Sequence, residues 1–196
     1  VSVVENAAME LAASTISGTA SFDSTDNVIT DSGTLAITGA TTIDAGTADI
    51  TLTEAASTFG ALALTGANVA VTESDATELA ASTVSGTFDI ISGGAITNSG
   101  ALAITGASTF TNTAGTDAAI TLSNAGNAFT GTVGFTTDSG SAVTVVDTTA
   151  LDLQALTAAS LSVTAGGDVT DSGTLAITGA TTIDAGSGNI TLTEAA

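Results

Sequence analysis

Residues 31–46 read DSGTLAITGATTIDAG, and residues 171–186 repeat the same sixteen residues without a change. A diverged version, NSGALAITG, lies between them at residues 98–106. Within the stretch, Leu35 and Ile37 alternate with small residues, and Ile43 stands alone in a Thr-rich run. Alternation of period two marks a strand with one buried face. Asp-Ser-Gly, Thr-Gly-Ala and Asp-Ala-Gly separate the runs, and Asx and Gly residues of this kind form turns. Strands this short cannot bury a face alone, so a chain built of them must stack them.

Two further markers extend the repeat over the whole chain. ITLTEA at residues 50–55, ITLSNA at 120–125 and ITLTEA at 190–195 follow one another in steps of 70. VSVVENAAMEL begins at Val1, VAVTESDATEL at Val69 and VTVVDTTALDL at Val143. The chain therefore divides into three copies, 1–68, 69–142 and a shorter 143–196. They are expected to form one continuous solenoid segment, part of a longer array. Inside the copies, Phe88, Phe110, Val133 and Leu161 lead successive groups of short apolar segments. This pattern predicts an all-β fold, a right-handed parallel β-helix (β-solenoid) with three short strands per coil of about 22 residues. About eight coils at ~4.8 Å each would make a rod ~40 Å long. A string of immunoglobulin-like sandwiches is the rival, but it needs ~100 residues per unit and a core Trp or corner Tyr. The chain has no Trp and no Tyr. The Asp31-Ser32-Gly33, Asn98-Ser99-Gly100 and Asp171-Ser172-Gly173 turns are expected at one corner of the coil, each Asx residue capping its own turn.

The run DSGTLAITGATTIDAG, followed by ITLTEA, then FGALALTGANV and ELAASTVSG, resembles the repeats of very large bacterial exoproteins of the filamentous-haemagglutinin type. The resemblance covers essentially the whole chain. It implies a secreted or surface-held parallel β-helix, exported across an outer membrane through a partner pore and serving as adhesin, fibre or stalk. The chain departs from that family in lacking its N-terminal secretion domain and any effector domain. Its lack of Lys and Arg is also unusual for the group.

Composition narrows the chemistry. The 196 residues include 20 Asp and Glu but no Lys, Arg or His, giving a formal net charge of −20. Cys and Pro are absent too, the six aromatic residues are all Phe, and 43% of the chain is hydrophobic. Nucleic acid needs cationic side chains to displace its counterions, so it is not an expected partner. The usual zinc and iron sites need Cys or His. Most acid–base and nucleophilic catalysis has no side chain to run on. No apolar run approaches the ~20 residues of a membrane span. The expectation is a non-enzymatic structural or adhesive extracellular repeat, a rigid rod or fibre on a bacterial surface, with no cofactor and no catalytic or metal site. The alternative is a self-assembling subunit of an extracellular filament, sheath or surface layer. Expected partners are further repeats of the same chain or identical chains, cell-surface or matrix ligands, and divalent cations.

Several residues invite a sharper reading. Glu5 and Glu10, Glu73 and Glu78, and Asp147 and Asp152 recur at matching positions, with Asp75 beside the second pair. Calcium favours several carboxylate and carbonyl oxygens, yet these pairs recur once in three coils, ~14 Å apart along the axis. A solvated corner that keeps the rod soluble is the expected role. Thr51 and Thr53, or Thr191 and Thr193, form Thr-x-Thr pairs, with Thr121 and Ser123 between them. An ice-binding face would need such a pair on nearly every coil, so these read as ordinary outward strand residues. Two carboxylates ~5–9 Å apart can hydrolyse glycosides, which singles out Asp147 with Asp152 and Asp44 with Asp49, although turn residues fit those places better. Gly93-Gly94 and Gly166-Gly167 read as turns, because no helix follows them. Phe22 with Phe88, and Phe59 with Phe129, fall at matching positions and are expected in core columns with aromatic stacking.

Overall fold

The computed structural model describes residues 1–114, 118–137 and 140–193. These residues form a β-solenoid of parallel strands, with no helix among them. Two sheets run the length of the molecule. The first follows Ser2–Val4, Ala20–Asp23, Thr41–Asp44, Leu62–Gly66, Thr77–Leu79, Ile96–Asn98, Ile120–Leu122, Ala142–Asp147, Ser160–Ala165 and Thr181–Asp184. The second follows Met9–Leu11, Ile29–Asp31, Ile50–Leu52, Val69–Glu73, Phe88–Ser92, Ser108–Asn112, Thr132–Thr136, Leu151–Leu153, Val169–Asp171 and Ile190–Thr191. Ten stacked strands rather than eight follow from the coil size. Register steps shrink to 17 residues from Leu62 to Leu79 and widen to 25 from Ala103 to Ala128.

Stacking in register turns the period-two pattern into columns. Met9, Ile29, Ile50, Val69 and Phe88 are successive neighbours on the inward face of the second sheet. Leu52, Val71, Ile90, Phe110 and Phe135 form the column beside it. Together with the inward residues of the first sheet they make one hydrophobic core running along the axis. Each fully buried large side chain contributes roughly 1.5–3 kcal/mol. Aromatic packing concentrates in the middle. Phe88 and Phe129 meet Phe110 edge-on, with ring centroids 5.8 and 6.1 Å away, and Phe135 stacks on it at 5.8 Å.

The third wall changes hands twice. It begins as Ser14–Ile16 under Leu35–Ile37, continued by the pairing of Ala36 with Thr58. Above this, Leu62–Gly66 is followed by two strands instead of one. Leu62 pairs with Leu79, whereas Thr65 and Gly66 pair with Thr83 and Val84. Ser82–Val84, Leu102–Ile104 and Ala128–Phe129 then carry that wall upward. Later a new wall starts at Leu156–Ala158 and continues at Leu175–Ile177. The three copies are consequently out of phase. Ile29–Asp31 and Val169–Asp171 lie in the second sheet, but their counterpart Ile96–Asn98 lies in the first. The Asp-Ser-Gly turns therefore do not share one corner. The middle copy is rotated by one face, and the same side returns after 140 residues. Gly93-Gly94 and Gly166-Gly167 differ in the same way, following strands of different sheets.

Candidate functional site

Where walls change, backbone N–H groups lose their ladder partners inside the rod. An unpaired buried N–H costs about 1–3 kcal/mol. Five buried side chains from the coil above supply the missing acceptor. Ser57 Oγ accepts the Leu35 N–H at 3.0 Å, and Ser82 Oγ accepts the Leu64 N–H at 3.0 Å. Asn127 Oδ1 accepts the Leu102 N–H at 3.0 Å. Glu73 Oε1 accepts the Phe59 N–H at 2.7 Å, and Asp147 Oδ1 accepts the Phe129 N–H at 3.1 Å. All five are buried, from fully enclosed Ser57 and Asn127 to Ser82 at 4% exposure.

The two carboxylates are the chemically distinctive members. Thr77 Oγ1 donates to the second oxygen of Glu73 at 2.7 Å. Burial pushes the Glu73 carboxyl up to about 7, with neighbouring Asp75 adding to the shift and the Phe59 and Thr77 hydrogen bonds opposing it. Asp147 also receives the Thr149 N–H and hydroxyl. Burial raises its carboxyl against the pull of the Phe129 and Thr149 amides. Asn127 is more fully used: it also accepts from Asn98 Nδ2 and donates to the Leu122 and Val146 carbonyls.

The matched acidic residues thus separate into two groups. Glu5, Glu10, Glu78 and Asp75 are exposed and Asp152 is half-buried, while Glu73 and Asp147 are 2% exposed. For those two, the expected solvated corner gives way to an interior backbone acceptor. The alternation already pointed inward, since Glu73 continues Val69 and Val71, and Asp147 continues Val143 and Val145. Among the described residues, no group of three or more acidic side chains is arranged to hold a metal ion. Asp147 and Asp152 belong to different sheets. Asp44 caps its own turn through the Gly46 N–H, and Asp49 accepts from the Asn68 backbone and side chain. Thr51 is flanked in register by Thr30 and Ala70. A hydroxyl column of Thr97, Thr121, Thr144, Ser162 and Thr182 lies on the first sheet.

The turn carboxylates mostly tie one coil to the next. Asp31 accepts the Thr53 and Glu54 N–H groups, and Asp171 accepts that of Thr193. Asp26 accepts from Thr47, and Asp168 from Asn189. Asn98 does both tasks, donating within its own turn to the Gly100 carbonyl and accepting from the Asn124 N–H above. Sequence reasoning missed Ser57, Ser82 and Asn127. The usable signal was that Ser57 and Asn127 stand 70 residues apart, each two residues before a matched Phe.

A repeating 70-residue motif with these shared acceptors matches one family, in three successive segments, residues 1–65, 66–136 and 140–196. The chain belongs to the family described as repeats of unknown function (DUF5649). No curated protein and no solved structure matches it. Within these DUF5649 repeats, Ser57 and Asn127, Phe59 and Phe129, and Glu73 and Asp147 are counterparts. Each pairs a polar acceptor, an aromatic anchor and a carboxylate around one change of wall.

Proposed function

We propose that this chain is a rigid structural rod, displayed outside a bacterial cell as part of an adhesive or fibre-forming surface protein. The observation that carries the reading is the unbroken register of ten stacked strands around a single core. Such a stack transmits length and stiffness, and each coil contacts only its neighbours. Nine intervals at ~4.8 Å give about 43 Å of rod. The strongly acidic surface supports the same reading, since it keeps an apolar core soluble and discourages lateral association at low salt. The resemblance to filamentous-haemagglutinin-type repeats supports display outside the cell.

Immunogold electron microscopy with antibody raised against this chain tests the proposal. Gold on thin projections of intact cells is the expected result. Label that appears only after lysis would remove the extracellular role. The same images distinguish single rods from multi-chain filaments by the width of the labelled structures.

A further inference from the structure

Two of the wall changes are built on a buried carboxyl, and they differ in one neighbour. At the first, residues 57–60 are tied downward by the Thr58 N–H to the Leu35 carbonyl and the Gly60 N–H to the Ile37 carbonyl. They are held upward by the Phe59 N–H to Glu73, and by the Ser74 N–H and hydroxyl to the Ser57 carbonyl. Glu73 accepts the Thr77 hydroxyl with its other oxygen. A hydrogen bond to Asp75 is among the interactions that favour its protonated form. One protonated carboxyl thus joins the third wall at Phe59, the first sheet at Thr77 and the turn between the sheets at Asp75.

At the second wall change Asp147 accepts the Phe129 N–H in the same way. The residue two positions on, Asp75 in the first case, is here Thr149, whose N–H and hydroxyl both donate to the carboxyl. A donor in that place favours the ionised form, whereas a second carboxyl disfavours it. Nothing else around Glu73 offsets a negative charge. Glu54 in the turn below, Glu78 on Thr77–Leu79 and Asp89 on Phe88–Ser92 are acidic and exposed. Residues 57–61 carry no titratable side chain, and the chain has no Lys, Arg or His. An ionised Glu73 would therefore sit 2% exposed beside Asp75 without a countercharge. Water has a route to this seam, because a surface cavity of about 270 Å³ is lined by Phe59, Gly60, Ala76 and Thr77.

We propose that Glu73 and Asp75 form a proton-operated clasp, closed over Phe59 while Glu73 holds its proton and opened when that proton passes to solvent. Opening leaves two carboxylates side by side, and their repulsion moves the turn at residues 74–76 off residues 57–60. Water then enters along the cavity and takes over the Phe59 N–H. The downward bonds of Thr58 and Gly60 are untouched, and the Asp147–Thr149 counterpart stays shut. The clasp operates wherever the rod is displayed.

Amide hydrogen exchange of the whole chain from pH 5 to pH 9, corrected for the intrinsic rate at each pH, tests this. Protection of Phe59 and Ser74 is expected to fall about tenfold or more as the pH passes about 7, while Thr58, Gly60 and Phe129 keep theirs. Glu73→Gln has no proton to lose and should abolish the fall. Asp75→Asn, at an exposed position that leaves the core intact, removes the repulsion and should abolish it too, which keeps the test decisive if Glu73→Gln does not fold. Protection at Phe59 that stays flat or rises with pH overturns the proposal. A fall shared by Thr58, Gly60 and Phe129 would mean that the whole stack loosens, and overturns it equally, as does a fall that survives in Asp75→Asn.

Discussion

Glu73 shows how a single residue can serve a long-range register. Its carboxyl sits inside the rod because the Phe59 amide has no strand partner there, and Thr77 completes its bonding. Removing it leaves the Phe59 N–H buried and unpaired, so Glu73→Ala is expected to cost about 1–3 kcal/mol. Glu73→Gln keeps an acceptor for Phe59 and a polar partner for Thr77, and its cost should be smaller. Acidity separates the two variants further. The folded-state carboxyl is raised to about 7 from an ordinary 4.5. Below pH 4.5 it is neutral in both folded and unfolded chains, so the stability it contributes is fully present. As pH rises towards 7 the unfolded chain ionises first, and that stability is lost. Asp147 shifts in the same direction, also through burial. Urea unfolding at pH 5 and pH 8 checks this: the difference in stability between the two pH values should shrink in Glu73→Gln. An unchanged difference would place the pH dependence elsewhere. Asn127, with bonds to Leu102, Asn98, Leu122 and Val146, should be the most sensitive of the five acceptors. Asn127→Ala is expected to lower stability by at least about 2 kcal/mol, because more than one buried group loses its partner.

At the scale of the element, corners rather than strands set how closely coils approach. Two glycine columns line different corners, one before strands of the first sheet and the other before strands of the second. A Cβ on Gly39 would come within 2.7 Å of the Gly18 carbonyl oxygen, and one on Gly60 within 2.4 Å of that of Gly39. Gly106 over Gly86, and Gly131 over Gly106, allow only 2.3 Å each. Because backbone cannot give way as a flexible side chain does, Gly106→Ala should cost about 1–3 kcal/mol. Gly18→Ala meets nothing within 4 Å and should stay within about 0.5 kcal/mol of the parent. Thermal melts of the two variants measure the contrast, and equal losses would show that the corner relaxes. These elements also show what was legible in advance. Leu35, Ile37 and Ile43 announced inward columns through their alternation, and the copies announced stacking, so the solenoid followed from local pattern. The rotation of the middle copy did not. It depends on whether Leu62–Gly66 is continued by one strand or two, and on Ala142–Asp147 being long enough to replace two. Both are settled by packing between coils rather than by any local preference. The inward aim of Glu73 and Asp147 was written in the same alternation, but an acidic residue at a repeated corner reads as solvated until a missing backbone partner is seen above it.

For the whole molecule, the outstanding feature is a charge of −20 with no cationic side chain to offset it. Local chemistry answers part of this. Asp26, Asp31, Asp49, Asp168 and Asp171 each accept a backbone N–H from the coil above, which anchors the carboxylates and spends no surface on salt bridges. Those bonds are short-range and indifferent to ionic strength. Repulsion along the rod is not, because coils ~4.8 Å apart lie well within the ~30 Å Debye length at 0.01 M salt. At 0.15 M that length falls to ~8 Å, and the distant part of the repulsion is screened. The folded rod holds its carboxylates closer together than the unfolded chain does, so screening favours the fold. Raising NaCl from 0.01 to 0.3 M should therefore increase Tm by a few degrees, corresponding to on the order of 1–2 kcal/mol for a chain of this size. A calorimetric series across that range decides the matter. A flat response would mean that the inter-coil hydrogen bonds hold the acidic turns against one another so firmly that charge does not limit the stability of the stack.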